Sequence, residues 1–218
     1  MSREETIEFI KEHKVCVICR GLYGDVLIKT IGALREGGVR LVEVTFDQAD
    51  PDAVEKTWGA IRTIKEAYPD MKVGSGTVTK IEHVIATKEA GGEFCLSPNT
   101  DADVIKATKA AGLVSIPGAM TATEIIRAHQ LGADIVKVFP AGFLGTGYIK
   151  DMRGPINNVL FLATAGVNEE NFKSFLDAGY IGAGISSRLI DKKVIAAGDF
   201  AELTRRAKVF CQIAAEAK

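Results

Sequence analysis

Short apolar segments alternate with longer amphipathic segments along the 218 residues, and this alternation constrains the fold more than any other feature. Eight apolar segments predict strands, and helical patterns with apolar residues three and four positions apart lie between them. The predicted strands are 15–19, 41–46, 72–78, 94–98, 114–117, 135–140, 159–164 and 181–186. Repeated strand–helix units indicate a parallel sheet with crossover helices.

Eight such units are the number that closes a (β/α)8 barrel. An open doubly wound sheet is the alternative, but the segment RGLYGD after the first strand lacks the G-x-G-x-x-G pattern. An extra helix, EETIEFIKEH, precedes the first strand, and no linker divides the chain. The sequence therefore predicts an α/β fold: one (β/α)8 TIM-barrel domain over residues 1–218 with an extra N-terminal helix.

The charge balance argues against several classes of partner. With 27 Lys and Arg against 28 Asp and Glu, the formal net charge is -1, which is not typical of proteins that bind nucleic acid or anionic membranes. No apolar run approaches the roughly 20 residues of a membrane span, and the first residues show no signal-peptide pattern. We expect a cytoplasmic protein that acts on a small-molecule substrate.

Cys16 and Cys19 have the C-x-x-C spacing of redox and zinc sites. They lie on a predicted strand, where residues three apart point to opposite faces, and no second pair completes a zinc ligand set. We therefore interpret these two and the other cysteines, Cys95 and Cys211, as free thiols in the core.

Two predicted strands each carry one charge on an otherwise apolar face. In GADIVKVFPA (132–141), alternation places Ile135, Lys137 and Phe139 on the face opposite two valines. In LVEVTF (41–46), Glu43 likewise lies opposite two valines. Since the valines pack against helices, the lysine and the glutamate are expected to point into the barrel.

Two further residues join this pair at the mouth of the barrel, where active sites of the fold lie. Arg20 comes directly after the first strand, and Val73, Ser75 and Thr77 share one face of the third. A lysine in an apolar strand is also compatible with an edge strand or with a side chain that extends to solvent, and the lysine and glutamate with a buried ion pair. A catalytic role for the lysine and the glutamate fits better, because a desolvated amine can attack a ketone and a nearby carboxylate can transfer protons.

The seventh and eighth units are suited to an anion. The segments ATAGVNEENF (163–172) and GAGISSRL (182–189) contain small residues that let backbone N–H groups approach a ligand. Loops at these positions often hold phosphate in (β/α)8 barrels. The sequence therefore predicts a phosphorylated or otherwise anionic substrate.

Seven ordered segments resemble the 2-keto-3-deoxy-6-phosphogluconate / 4-hydroxy-2-oxoglutarate aldolases, in register from about residue 14 to 210. The segments are GGVRLVEVTF, VGSGTV, FCLSPN, IPGAMTATEI, GADIVKVFPA, ATAGVNEENF and GAGISSRLI. The resemblance implies a homotrimeric class I lyase without metal or cofactor, as in the Entner-Doudoroff pathway. It would cleave a 2-keto-4-hydroxy acid into pyruvate and an aldehyde.

The same resemblance implies residue roles. Lys137 would form the Schiff base with C2 of pyruvate, and Glu43 would be the general acid and base. The implied substrate-binding residues are Arg20 and Thr77 at the pyruvate carboxylate, Pro98 and Phe139 at the pocket walls, and Thr164, Gly166 and Ser187 at the distal phosphate.

The chain departs from the family pattern at three places. Asp47 stands where many members have a carboxylate-binding arginine, so we expect it to point away. Ala165 replaces a glycine, and ISS replaces GGS, which narrows the phosphate end. The segment 143–155 is interpreted as a glycine-bounded loop with Lys150 near the phosphate.

A phosphorylated six-carbon 2-keto-3-deoxy acid is the predicted substrate, with glyceraldehyde 3-phosphate as a possible aldehyde product and 4-hydroxy-2-oxoglutarate as the alternative substrate. A non-catalytic barrel that binds a sugar acid is a rival hypothesis that rests on Asp47 alone. A metal-dependent sugar-phosphate epimerase would need histidine ligands at strand ends, and the predicted strands end in none.

Overall fold

A computed structural model describes residues 2–217, so Met1 and Lys218, the two ends of the predicted domain, lie outside the described residues. The strands are β1 Val15–Cys19, β2 Leu41–Thr45, β3 Lys72–Gly76, β4 Phe94–Leu96, β5 Val114–Ile116, β6 Gly118–Ala119, β7 Val136–Val138, β8 Phe161–Thr164 and β9 Gly182–Ile185. The helices are α1 Arg3–His13, α2 Gly24–Glu36, α3 Ala53–Ala67, α4 Ile81–Glu89, α5 Ala102–Ala110, α6 Ala122–Gln130, α7 Ala141–Arg153, α8 Phe172–Ala178, α9 Lys192–Ala196 and α10 Phe200–Glu216.

All strand pairs are parallel, in the order β5-β4-β3-β2-β1-β9-β8-β7-β6. The strands at the two ends of this order, β5 and β6, lie on either side of Pro117; β5 falls within the fifth predicted strand, 114–117, and β6 continues beyond its predicted end. The amide of Lys137 donates to the Pro117 carbonyl over 2.9 Å, which joins β7 to the break. The predicted (β/α)8 barrel and its extra N-terminal helix are therefore confirmed, with one strand in two parts.

The two faces of β2 and β7 are those predicted. Val42, Val44, Val136 and Val138 belong to the large core between barrel and helices. The barrel interior is filled by Ile10, Cys16, Leu41, Phe94, Leu96, Val114, Ile116, Ile135 and Leu162. Alternation thus directs the intervening Glu43 and Lys137 inward.

The cysteines are free thiols on different faces, as predicted. Cys16 lies inside the barrel and Cys19 in the outer core. Burial raises the pKa of Cys19 to about 12 and that of Cys95 to about 11. Cys211 is only half-buried, so the predicted core position was wrong for this cysteine. Thiols held in the neutral form serve as small apolar core residues.

The predicted faces of the third strand were wrong in part. Val73 packs in the outer core, and the hydroxyls of Ser75 and Thr87 of α4 are hydrogen-bonded over 2.6 Å. Gly74 and Gly76 face the interior instead. A Cβ at Gly74 would overlap Phe94, and a Cβ at Gly76 would overlap the carboxylate of Glu43. The neighbouring strands thus require glycine at both inward positions.

The segment 143–155 is not the predicted loop. Most of it belongs to helix α7, which is interrupted at Gly145, where φ is 73°. Ile149 anchors the helix in the core, while Lys150 is exposed and does not line the cavity described below. Burial on one face therefore outweighed the low helix propensity of glycine. None of the helices within residues 2–217 is long and apolar enough to cross a membrane.

Candidate active site

A cavity of about 340 Å³ opens where the carboxyl ends of the strands meet, a size typical of small-molecule sites. The lining residues are Ile18, Arg20, Glu43, Thr77, Pro98, Lys137, Phe139, Thr164, Ala165, Gly166, Val167, Gly184, Ser186, Ser187 and Arg188. All nine predicted site residues are among them, and they come from seven parts of the chain. The structure therefore brings together every predicted site residue.

Lys137 is 6 % exposed at the centre of β7. Within residues 2–217, no carboxylate oxygen lies within 4.0 Å of its Nζ, which sits 5.4 Å from the centroid of the Phe139 ring. A structural ion pair with Glu43 is thus not formed. A buried amine without a charged partner remains available to a ligand.

Glu43 is 1 % exposed and enters the cavity from β2. Burial raises the pKa of its carboxyl above the ordinary value of 4.5, while the charges of Lys137 and Arg20 lower it. Its Oε2 has no hydrogen-bond partner within the described part of the chain. An unsatisfied buried carboxylate with a raised pKa is suited to accepting and returning protons.

Arg20 and Thr77 lie at the rim beside this pair. Arg20 is exposed, directly after β1. Thr77 follows β3 with a φ of 57°, which turns its side chain toward the cavity although Val73 and Ser75 face the helices. Asp47 is exposed, does not line the cavity, and accepts a hydrogen bond from the amide of Ala49, in agreement with the expectation that it points away.

One end of the cavity is formed by the loops after β8 and β9. Ala165 and Gly166 have φ values of 70° and 78°, and Gly166 packs directly on the backbone of Gly142. The hydroxyl of Thr164 is buried and has no partner among residues 2–217. Small residues and a free hydroxyl leave this end suited to a polar ligand group.

Sequence reasoning missed Arg188, which lines the same end of the cavity. Its Nε donates to Glu169 of the loop after β8 over 2.8 Å, and its carbonyl accepts from Arg206 over 3.2 Å. The signal was present, since Arg188 follows Ser187 within GAGISSRL. The direction of its side chain could not be predicted, because an irregular loop has no periodicity.

The residues that line the cavity include more basic than acidic side chains. Arg20, Lys137 and Arg188 are cationic groups, whereas Glu43 is the one carboxylate among them. Arg20 and Arg188 lie beyond the ends of β1 and β9. Because β1 pairs with β9, the two arginines lie beyond neighbouring strands, and the cavity is suited to an anionic molecule.

Other features of the surface are less suited to chemistry. A larger groove of about 610 Å³ lies between α2 and α10, but its charged residues, Lys29, Glu36, Arg205 and Lys208, are all exposed. No group of three or more His, Cys, Asp or Glu within residues 2–217 could hold a metal ion.

The sequence profile of the KDPG and KHG aldolases matches residues 7–206. The chain belongs to this family. It is 33% identical over 174 residues to the 2-dehydro-3-deoxy-6-phosphogalactonate aldolase of Escherichia coli K12, with 79% of this chain and 82% of that protein covered. It is 34% identical over 182 residues to the 2-dehydro-3-deoxy-phosphogluconate aldolase of Treponema pallidum, with 83% and 84% covered.

Among solved structures, the 2-keto-3-deoxy-6-phosphogluconate aldolase of Zymomonas mobilis ZM4 with 3-phosphoglycerate has a TM-score of 0.81. It is 28% identical and is covered over 98% of its length by 100% of this chain. Members of the KDPG and KHG aldolase family are lyases, so this aldolase is a lyase as well. Membership decides against the metal-dependent epimerase.

Proposed function

We propose that this aldolase cleaves a phosphorylated 2-keto-3-deoxy sugar acid into pyruvate and a phosphorylated aldehyde through a Schiff base on Lys137. The observation that carries the proposal is the buried amine of Lys137, which shares a cavity with Glu43 and has no carboxylate within 4.0 Å among residues 2–217. An amine of this kind is a nucleophile for a ketone.

In the first half of the reaction, the amine adds to the C2 ketone of the substrate. Loss of water from the resulting carbinolamine forms the Schiff base, and Glu43 supplies and removes the protons. The substrate carboxylate is held at Arg20 and Thr77, which lie at the same rim as Glu43. Pro98 and Phe139 form the walls beside the methylene carbon C3.

In the second half, a base removes the proton of the C4 hydroxyl and the C3–C4 bond breaks. The electron pair of that bond moves into the Schiff base, which becomes an enamine, and the aldehyde leaves. Return of a proton to C3 by Glu43 and hydrolysis of the Schiff base release pyruvate and the free amine. Glu43 is suited to this double role because burial raises its pKa and the charge of Lys137 opposes that rise.

The phosphate is assigned to the end of the cavity that contains Gly166, Ser187 and Arg188. Backbone N–H groups, a hydroxyl and a guanidinium are the donors that phosphate prefers. The similar enzyme of Zymomonas mobilis has been solved with 3-phosphoglycerate, a phosphorylated three-carbon acid. This supports a phosphorylated aldehyde half for the present chain.

A second candidate substrate is 4-hydroxy-2-oxoglutarate, whose far end is a carboxylate. The side chains of Ala165 and Ser186 favour it, because they reduce the space that glycines would leave for a phosphate. Arg188 can bind either anion.

The homotrimer remains a prediction from the resemblance, and the cytoplasmic location remains a prediction from the sequence pattern. Two apolar surfaces support an assembly: Ile81 and Ile85 of α4 are 48% and 52% exposed, and Phe143 of α7 is 82% exposed. Different surfaces that meet head to tail close into a ring. Light scattering of the wild type and of Phe143→Ser should show a trimer that the substitution weakens.

The Schiff base is tested by borohydride reduction in the presence of pyruvate. One reduced pyruvate adduct per chain is expected, and peptide mapping should place it on Lys137. Lys72→Met is the matched control, because Lys72 is equally buried at the other end of the barrel. Labelling of another lysine, or no labelling, contradicts the mechanism.

The substrate is tested by kcat/KM for phosphorylated 2-keto-3-deoxy acids and for 4-hydroxy-2-oxoglutarate in one buffer. Ser187→Ala and Arg188→Ala should lower the value for the phosphorylated acid, the latter by about tenfold or more, since a hydrogen bond to a charged group contributes about 1.5–3 kcal/mol. Arg205→Ala on α10, outside the cavity, is the control. Equal rates for both acids and no effect of either substitution would argue against a phosphate site here.

A further inference from the structure

Thr77 is held in a conformation that β-branched residues rarely adopt. Its φ of 57° lies in the left-handed region, which is unfavourable for a residue other than glycine. Such a conformation persists only where the surrounding structure imposes it. What holds residues 77–79, here called the Thr77 turn, therefore also sets the position of a cavity-lining hydroxyl.

Gln48, on the loop after β2, contacts the Thr77 turn at two points. Its Nε2 donates to the Thr77 carbonyl over 3.2 Å, and its Oε1 accepts from the hydroxyl of Thr79 over 2.7 Å. One amide side chain thus satisfies a donor and an acceptor of the turn.

His83 of α4 contacts the same turn from the protein interior. It is 4 % exposed, and its ring stacks on Phe46 with a centroid distance of 4.0 Å and an interplanar angle of 8°. Its Nδ1 accepts from the amide of Thr79 over 3.3 Å, which requires an unprotonated Nδ1. Burial and the charge of Lys80 lower the pKa of His83, which favours the neutral ring, while Glu82 and the Thr77 backbone raise it.

We propose that Gln48 and His83 are positioning residues that hold Thr77 in place for the carboxylate of the 2-keto acid. Neither residue lines the cavity, so both act through the Thr77 turn. The inference rests on the proposed function, because it takes from it the role of Thr77 at the carboxylate. It adds two positioning residues, Gln48 and His83, that lie outside the sequence motifs containing Lys137 and Glu43.

Hydrogen bonds, and not packing alone, hold the Thr77 turn. The other anchor of the turn, the amide of Val78, donates to the Leu96 carbonyl over 3.0 Å and ties the turn to β4. Among residues 2–217, the Thr77 carbonyl and the Thr79 amide have no backbone partner, and Gln48 and His83, respectively, form hydrogen bonds with these two groups. The strained conformation of Thr77 is thereby fixed on both sides.

The experiment measures the pyruvate concentration that half-saturates borohydride trapping, together with KM and kcat for cleavage. Gln48→Ala removes both contacts from an exposed position, and His83→Phe keeps the stack on Phe46 but removes the acceptor. Each should raise the half-saturating pyruvate concentration and KM about three- to tenfold, the loss expected for one hydrogen bond, with kcat within about twofold. His83→Asn, whose Oδ1 can replace Nδ1 as an acceptor, should restore most of the affinity.

Two comparisons make the outcome decisive. In a Thr77→Ala background, Gln48→Ala should add little further loss, because both changes act on the same contact. His129→Phe, at an exposed histidine of α6, should leave all three parameters unchanged.

Normal trapping with unchanged pyruvate affinity in Gln48→Ala and His83→Phe, or additive losses with Thr77→Ala, overturns the positioning role alone. Absence of trapping in the wild type overturns the Schiff-base proposal, and this inference with it.

Discussion

Two lysines of this aldolase are equally buried, at opposite ends of one barrel, and differ in their partners. Lys72 and Lys137 are each 6% exposed, and each lies over an aromatic ring, at 5.6 Å from Phe9 and 5.4 Å from Phe139, respectively. Lys72 also pairs with Glu93 over 2.7 Å, whereas Lys137 has no carboxylate within 4.0 Å among residues 2–217. Burial alone therefore does not distinguish a structural lysine from a nucleophile.

The same difference extends to the surroundings. At the amino-terminal end, Glu93 also accepts from Lys65 and the Val73 amide, and Asp134 accepts from Lys109 and the Ser115 amide. At the other end, a carboxylate oxygen and a hydroxyl are unpaired, and two residues other than glycine have a positive φ. Left-handed residues and unpaired polar groups also occur at the amino-terminal end, at Lys14 before β1 and at the hydroxyl of Tyr180 before β9, so the two ends differ chiefly in how their carboxylates are paired.

The largest effect is expected from exchanging each lysine for methionine. Lys137→Met should lower kcat/KM by on the order of 10⁵ or more, as removal of a covalent nucleophile does, and still fold. Lys72→Met should keep kcat/KM within a few-fold but lower the free energy of unfolding by about 1–3 kcal/mol, because it leaves Glu93 with one fewer partner. Steady-state kinetics and urea denaturation measure both. Residual activity in Lys137→Met, or a folded but inactive Lys72→Met, would remove the distinction.

The next effect concerns the carboxylate of Glu43. Glu43→Gln should fold and bind pyruvate, but turnover should fall by about 10²–10⁴, the usual contribution of general acid–base catalysis. Cleavage and exchange of the C3 protons of pyruvate should decline together. If both rates stay within a few-fold of wild type, another group transfers the protons.

A smaller effect should follow from filling the space that Glu43 occupies. In Gly76→Ala the new Cβ would overlap that carboxylate, and the resulting displacement should lower turnover by up to about 10². Gly59→Ala, in α3, is the matched control, because its Cβ would have no atom within 4 Å. It should stabilise the helix by about 0.5–1 kcal/mol and leave kinetics unchanged. Equal activity in both variants would show that Glu43 has room to move.

The smallest effect is on the free energy of unfolding. Replacing a glutamate with glutamine should change it in opposite directions at the two ends of the barrel. Because burial raises the pKa of Glu43, folding is weakened as pH rises from 4.5 through that raised value. Glu43→Gln should therefore stabilise the protein at pH 8, and should do so less near pH 4.5. Glu93→Gln should instead destabilise at pH 8, since Lys72 and Lys65 lose their partner. Thermal unfolding at both pH values tests the signs, and a less stable Glu43→Gln at pH 8 would contradict the comparison.

Periodicity determined the barrel and most of its active end from the sequence. The alternation in β2 and β7 placed Glu43 and Lys137 inside, because residues two apart on a strand share a face. Barrel topology then collects the residues that follow each strand at one mouth, which is why nine positions from separate segments line one cavity. These inferences need only local patterns and the number of strands.

The tertiary structure alone decided features in which neighbours override the local pattern. Thr77 reaches the cavity through a left-handed turn held by Gln48 and His83, whereas alternation grouped it with outward residues. The inward positions 74 and 76 require glycine because Phe94 and Glu43 of adjacent strands fill the space that a Cβ would occupy. Helix α7 forms across its glycines because its buried face packs on the core, and Arg188 points into the cavity from an irregular loop. Each depends on contacts between residues distant in the chain, which a period of 2 or 3.6 does not encode.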